Sequence, residues 1–144
     1  MSFCFIILAA GNSQRFRSNV GKPYQKIAGK SLIEINIDKA RRIKAIKKMV
    51  VVYNKKDSKR VKSLKLKNVK LILGGKNRQQ SAFNALKFLI NKKGVSKVLI
   101  HDVARPNFSL KLLNTIISKM KSARAVVPKI QIYDAVKQKI DSSL

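Results

Sequence analysis

Five apolar runs rich in β-branched residues punctuate the chain, at 3–8, 49–53, 69–73, 98–100 and 125–127. They are nearly continuous rather than alternating, which predicts strands buried on both faces of a sheet. Helical patterns lie between them. Ser31-Leu32-Ile33-Glu34 reads as a capping box, with Ser31 accepting from the Glu34 N–H while Glu34 reaches back. The helix it starts carries Leu32, Ile35, Ala40 and Ile43 on or near one stripe. Asp57 or Ser58 is placed to cap a short, very basic helix through Leu64. Residues 79–91 bring Ala82, Phe83, Leu86 and Ile90 to helical spacing, and residues 110–120 do so with Leu113, Ile116, Ile117 and Met120. Strands alternating with helices predict an α/β fold, an open, mostly parallel sheet with helices on both faces and right-handed crossovers. Ligands of such sheets sit outside the carboxyl ends of the strands where strand order reverses, so the loops after the first, third and fourth runs are the expected site.

Composition changes this picture little. The 144 residues predict one domain, 1–144, without internal repeat, linker or low-complexity segment. Hydrophobic residues make up 45%, which argues against disorder despite a formal net charge of +27. That charge raises the question of nucleic acid. The lysines, however, are scattered through every segment, and no Trp is present for stacking, so solvated surface is the preferred reading. The lone Cys4 lies in the first apolar run and is expected to be a buried, inert thiol; a disulfide within the chain is excluded. The opening residues have no basic region, and the apolar stretch is too short to span a bilayer, so a soluble, cytoplasmic protein is expected, with no membrane partner.

Candidate chemistry concentrates in three loops. The first run empties into Ala9-Ala10-Gly11 and a polar stretch holding Arg15 and Lys22, two cations seven residues apart that could grip one polyphosphate from two sides. The second loop is Gly74-Gly75-Lys76-Asn77-Arg78-Gln79-Gln80-Ser81, and the third is His101-Asp102-Val103-Ala104-Arg105-Pro106. Each also has an ordinary structural explanation. Glycine pairs serve tight turns, a lone His at a strand end is more often packed than reactive, and Asp102 and Arg105 could simply pair with each other. Together, all three loops would meet at one end of the sheet, where they suit a nucleotide triphosphate.

In order and spacing these pieces resemble the 2-C-methyl-D-erythritol 4-phosphate cytidylyltransferase family of the non-mevalonate isoprenoid pathway. The matching segments are AAGNSQRF, GKPYQKIAGKSLIE, GGKNRQQSAFNAL, VLIHDVARP and, more weakly, PKIQIYDAVK. The resemblance implies a Rossmann-like sheet of the nucleotidyltransferase type and transfer of CMP from CTP to the polyol phosphate, releasing pyrophosphate. It implies that Arg15 and Lys22 stabilise the transition state at the α-phosphorus. Ala9, Ala10 and Gly11 would contact the nucleotide, with Gly75, Lys76 and Ser81 near the cytosine. Asp102 and Arg105 would lie beside the ribose, metal and second substrate, with Mg2+ as the cofactor and Asp102 as its possible ligand. Departures from the family pattern are Ser13 for a second glycine, Gly21 where proline usually precedes the lysine, Pro23 after it, and Ala135 where a threonine often stands. The family also continues past residue 144 with a dimerising arm and further second-substrate residues. The chain is therefore expected to act as the nucleotide half of such an enzyme, without the arm that makes the family homodimeric. A ribitol 5-phosphate cytidylyltransferase and a non-catalytic nucleotide- or nucleic-acid-binding module remain the alternatives.

Overall fold

The computed structural model describes residues 1–11 and 20–131. Its centre is a four-stranded, wholly parallel sheet in the order β5-β4-β1-β6, formed by β1 (Phe3–Ala9), β4 (Ile46–Tyr53), β5 (Val69–Leu73) and β6 (Lys97–Asp102). Strand β1 is buried along its whole length because it has a strand on each side and helices on each face. Its side chains alternate, as the pleat requires. Phe3, Phe5, Ile7 and Ala9 enter a core with α1 (Leu32–Arg41), α2 (Ser58–Ser63) and α4 (Leu110–Lys119). Cys4, Ile6 and Leu8 pack on the other face against Ala85 and Leu89 of α3 (Arg78–Leu89). Burial pushes the Cys4 thiol up to about 11, which makes it the inert hydrophobe expected.

The capping box forms as read. Glu34 N–H donates to Ser31 Oγ at 3.3 Å, and Ser31 N–H donates to Glu34 Oε2 at 2.8 Å. Helices α3 and α4 start similarly, their N–H groups donating to the side chains of Asn77 and Ser109. Buried Asn36 ties α1 to the sheet, donating to Leu32 O at 2.7 Å and to Val103 O, past the end of β6, at 3.1 Å.

Three expectations require correction. The run 125–127 belongs to no strand; among the described residues no ladder bond joins it to β6, and its own Val127 and nearby Ile130 are 84% and 87% exposed. Three apolar residues express a tendency to extend, but only pairing makes a strand, and so short a run gains few bonds for the order it would lose. Burial on both faces holds for β1 and the last four residues of β4 but not for β5 and β6, which are the edges among the described residues. The pattern alone also missed a two-residue antiparallel ribbon, β2 (Lys26–Ile27) with β3 (Lys30–Ser31). Its turn places Ala28 at φ 49° and Gly29 at φ 81°, so a glycine-compatible bend closes it.

Candidate active site

The chain runs from β1 to β4 and outward to β5, then returns to the opposite side of β1 as β6. Strand order therefore reverses between β1 and β6, which opens a crevice beyond their carboxyl ends. The loops after β1, β5 and β6 project from this end of the sheet.

Ala9 ends β1 and is buried, Ala10 is half-buried and Gly11 is exposed. The Ala10 carbonyl accepts from Asn54 Nδ2 at 3.1 Å, just past β4. Nothing in the sequence marks this support, because asparagine after a strand is ordinary turn chemistry. Gly74 N–H donates to Tyr53 O at 2.8 Å, continuing the ladder by one bond. A Cβ on Gly74 would meet Ala10 Cβ at 2.3 Å, and one on Gly75 would meet Gln80 Cγ at 2.0 Å. Neither glycine has positive φ. The pair thus serves close approach between loops and helix rather than a left-handed turn. Ser81 is 4% exposed, and its Oγ accepts from the Gly75 N–H at 3.1 Å. Lys76 stands exposed between these two anchors.

Lys22 opens a single 3-10 turn, Lys22–Tyr24, whose Pro23 and Tyr24 are buried. Tyr24 lies beneath the Arg60 guanidinium, 5.4 Å from its ring centre, and Arg60 in turn pairs with buried Asp57 at 3.0 Å. Burial, and then the Asp57 charge, push the Tyr24 phenol above its ordinary value. The turn carrying Lys22 is therefore held by an aromatic anchor, whereas Arg15 lies outside the described residues.

On the third loop, Asp102 ends β6. Arg78 Nε donates to its Oδ1 at 3.0 Å, and Arg105 Nε lies 3.6 Å from its Oδ2. Arg78 was visible in the motif but not among the expected site residues, because nothing in sequence distance joins it to Asp102. His101 is packed rather than poised. It stacks on Phe5 at 5.6 Å and meets the Phe108 edge at 4.7 Å. Its Nε2 lies 2.9 Å from Arg105 O, and since a carbonyl only accepts, that nitrogen carries the proton. Burial holds His101 below the usual imidazole value.

Among the described residues no group of three His, Cys, Asp or Glu side chains is placed to hold a metal. Asp102 is a single carboxylate, which suits a cation that brings most of its ligands with it. No described helix is long and apolar enough to cross a membrane.

The family model for IspD, 2-C-methyl-D-erythritol 4-phosphate cytidylyltransferase, matches residues 3–143. The chain belongs to the IspD family. It is 49% identical to a bifunctional IspD/IspF enzyme of Pelagibacter ubique, over all of this chain and 38% of that protein. Against the 2-C-methyl-D-erythritol 4-phosphate cytidylyltransferase of Clostridioides difficile it is 33% identical, over 94% of this chain and 58% of the relative. The IspD architecture agrees. The 4-diphosphocytidyl-2C-methyl-D-erythritol synthase structure from Anaerococcus prevotii superposes with a TM-score of 0.80 at 28% identity, covering 97% of this chain and 60% of that one. The bifunctional IspDF of Campylobacter jejuni gives 0.82 at 28% identity, covering 96% and 36%. The chain thus spans between about a third and three-fifths of the length of these IspD relatives.

Proposed function

We propose that this chain holds CTP for a cytidylyltransferase that transfers CMP to 2-C-methyl-D-erythritol 4-phosphate and releases pyrophosphate, a step of isoprenoid precursor synthesis in the cytoplasm. The observation that carries this reading is the convergence of Ala10, Gly74–Gly75 and Asp102 at the carboxyl ends of one parallel sheet. A Gly74 methyl would collide with Ala10, so the two nucleotide-facing loops are packed as one wall. Buried Ser81 holds Gly75 from behind, which fixes the backbone expected beside the cytosine.

In this reading the chain needs little covalent chemistry. An oxygen of the acceptor's phosphate attacks the α-phosphorus of CTP, the bond to the β-phosphate breaks, and the residues position the groups and neutralise charge. Lys22, on its anchored turn, supplies a compact point charge at the phosphates, and Arg15 is assigned the second. Lys76 and the backbone of Ala9, Ala10, Gly11 and Gly75 hold the nucleoside side, and Arg105 faces the acceptor. Asp102 would hold Mg2+, which when bound supplies charge neutralisation at the phosphates and a better leaving group.

Thermal protection by each nucleoside triphosphate with Mg2+ tests the reading. CTP is expected to protect more than ATP or GTP; at a hundredfold excess over its dissociation constant it would stabilise the ligand-free fold by about 2.7 kcal/mol. Equal protection by all triphosphates would reduce the site to a generic phosphate cradle.

A further inference from the structure

Asp102 contributes the one carboxylate of the three loops. Both of its oxygens are engaged by guanidinium groups, Oδ1 by Arg78 and Oδ2 by Arg105. Arg78 leaves the first turn of α3, which follows β5, whereas Asp102 ends β6. Strands β4 and β1 lie between those two strands, so the Arg78–Asp102 pair bridges the carboxyl ends of the central strands. A divalent cation on this carboxylate would share it with two guanidinium charges, which lie 3.0 and 3.6 Å from its oxygens. Each would weaken its binding roughly fivefold to tenfold at water-like screening. Arg78 and Arg105 are 63% and 79% exposed, so both pairs are weak and readily exchanged. A polyphosphate offers the same guanidinium forks more charge and a better geometric match.

We propose that Arg78, together with Arg105, is a built-in counter-ion that keeps Asp102 closed to divalent cations until a polyphosphate draws the guanidiniums away. Cation binding is thereby coupled to nucleotide binding through Arg78. The identity of the polyphosphate rests on the cytidylyltransferase reading; the closure of Asp102 does not. Arg78 is then a positioning residue with two alternating partners. Its charge is set against the metal in one state and toward the phosphates in the other.

Two measurements on the 144-residue chain test this without turnover. The first is Mn2+ binding without nucleotide, followed by electron paramagnetic resonance. Arg78→Gln should bind Mn2+ roughly fivefold to tenfold more tightly than wild type, and adding Arg105→Gln should increase the gain. Adding Asp102→Asn to Arg78→Gln should abolish it, and Lys87→Gln, which removes a charge elsewhere on α3, should leave Mn2+ binding unchanged. No gain in Arg78→Gln, or a gain that survives Asp102→Asn, would overturn the closure. The second is calorimetric binding of CTP in the presence of a chelator. Asp102→Asn should bind metal-free CTP more tightly than wild type, because its guanidiniums are released, and Arg78→Gln more weakly. Wild-type affinity in both variants would overturn the coupling. A Mn2+ gain with no CTP binding in any variant would also end the coupling, and it would locate the failure in the nucleotide reading rather than in the closure.

Discussion

Gly74 has no space for one more carbon. Its Cβ would stand 2.3 Å from Ala10 Cβ and 3.3 Å from the Tyr53 carbonyl, so the backbone of one loop or the other would have to move. Gly74→Ala is expected to lose about 1–3 kcal/mol of stability, as overpacking typically costs, and to weaken CTP binding. Urea unfolding and calorimetry on the same sample check both, and unchanged values would mean that the loops slide freely. His101 makes a second residue-scale case, as the single histidine of the chain. Burial among Phe5 and Phe108 opposes its protonation, outweighing the Arg105 carbonyl and the Asp102 charge that favour it; Arg105 and Lys39 add to the opposition. Its folded value lies below the unfolded value of about 6.5. Its contribution is therefore fully present above that unfolded value and is lost as pH falls through it toward the folded one. Proton NMR of its one imidazole should show a midpoint below that of a free histidine. The chain's stability should begin to fall below about pH 6.5, before the carboxylates titrate. A midpoint at the free value would mean that the ring is solvated.

Helix α3 links local capping to the site. Asn77 Oδ1 accepts from Gln80 N–H at 2.8 Å, and the same first turn presents Arg78 to Asp102 and packs Gln80 against Gly75. Asn77→Ala should cost about 0.5–2 kcal/mol, with faster amide exchange in the first turn and weaker nucleotide affinity. Stability lost with affinity retained would separate the cap from the site. Elements of this kind were legible in the sequence because their causes are local. The capping box at Ser31, the apolar stripes of α1 and α4 and the buried runs of β1 and β4 all follow from neighbours within a few residues. The stripe expected on α3 is wrong: Phe83, Leu86 and Ile90 are exposed, and the helix buries Ser81, Ala85 and Leu89 instead. The β2–β3 ribbon was not legible, since two lysine-rich pairs carry no apolar alternation. The run 125–127 misled for the opposite reason, being apolar without an observed partner.

At the scale of the whole molecule, the site's location was legible but its wiring was not. Three loops following three strands predicted one end of the sheet, and the parallel ladder brings their strands' carboxyl ends there. The bonds that organise this end join residues far apart in the chain: Asn54 to Ala10, Arg78 to Asp102, Asn36 to Val103. Only strand order decides such pairs. That order also has a consequence in time. Among the described strands β1 comes first in the chain, yet, like β4, it must be flanked on both sides: Phe5 pairs with Met49 on one edge and Leu99 on the other. A parallel neighbour cannot come from a hairpin, so the most apolar segment of the chain stays open on both edges until Ile46–Tyr53 is made and on one edge until Lys97–Asp102 is made. Its seven buried residues are then a standing hazard during synthesis, the stretch on which a nascent chain would aggregate or recruit a chaperone. The centrality that makes β1 the firmest base for the site makes it the last strand to be fully enclosed.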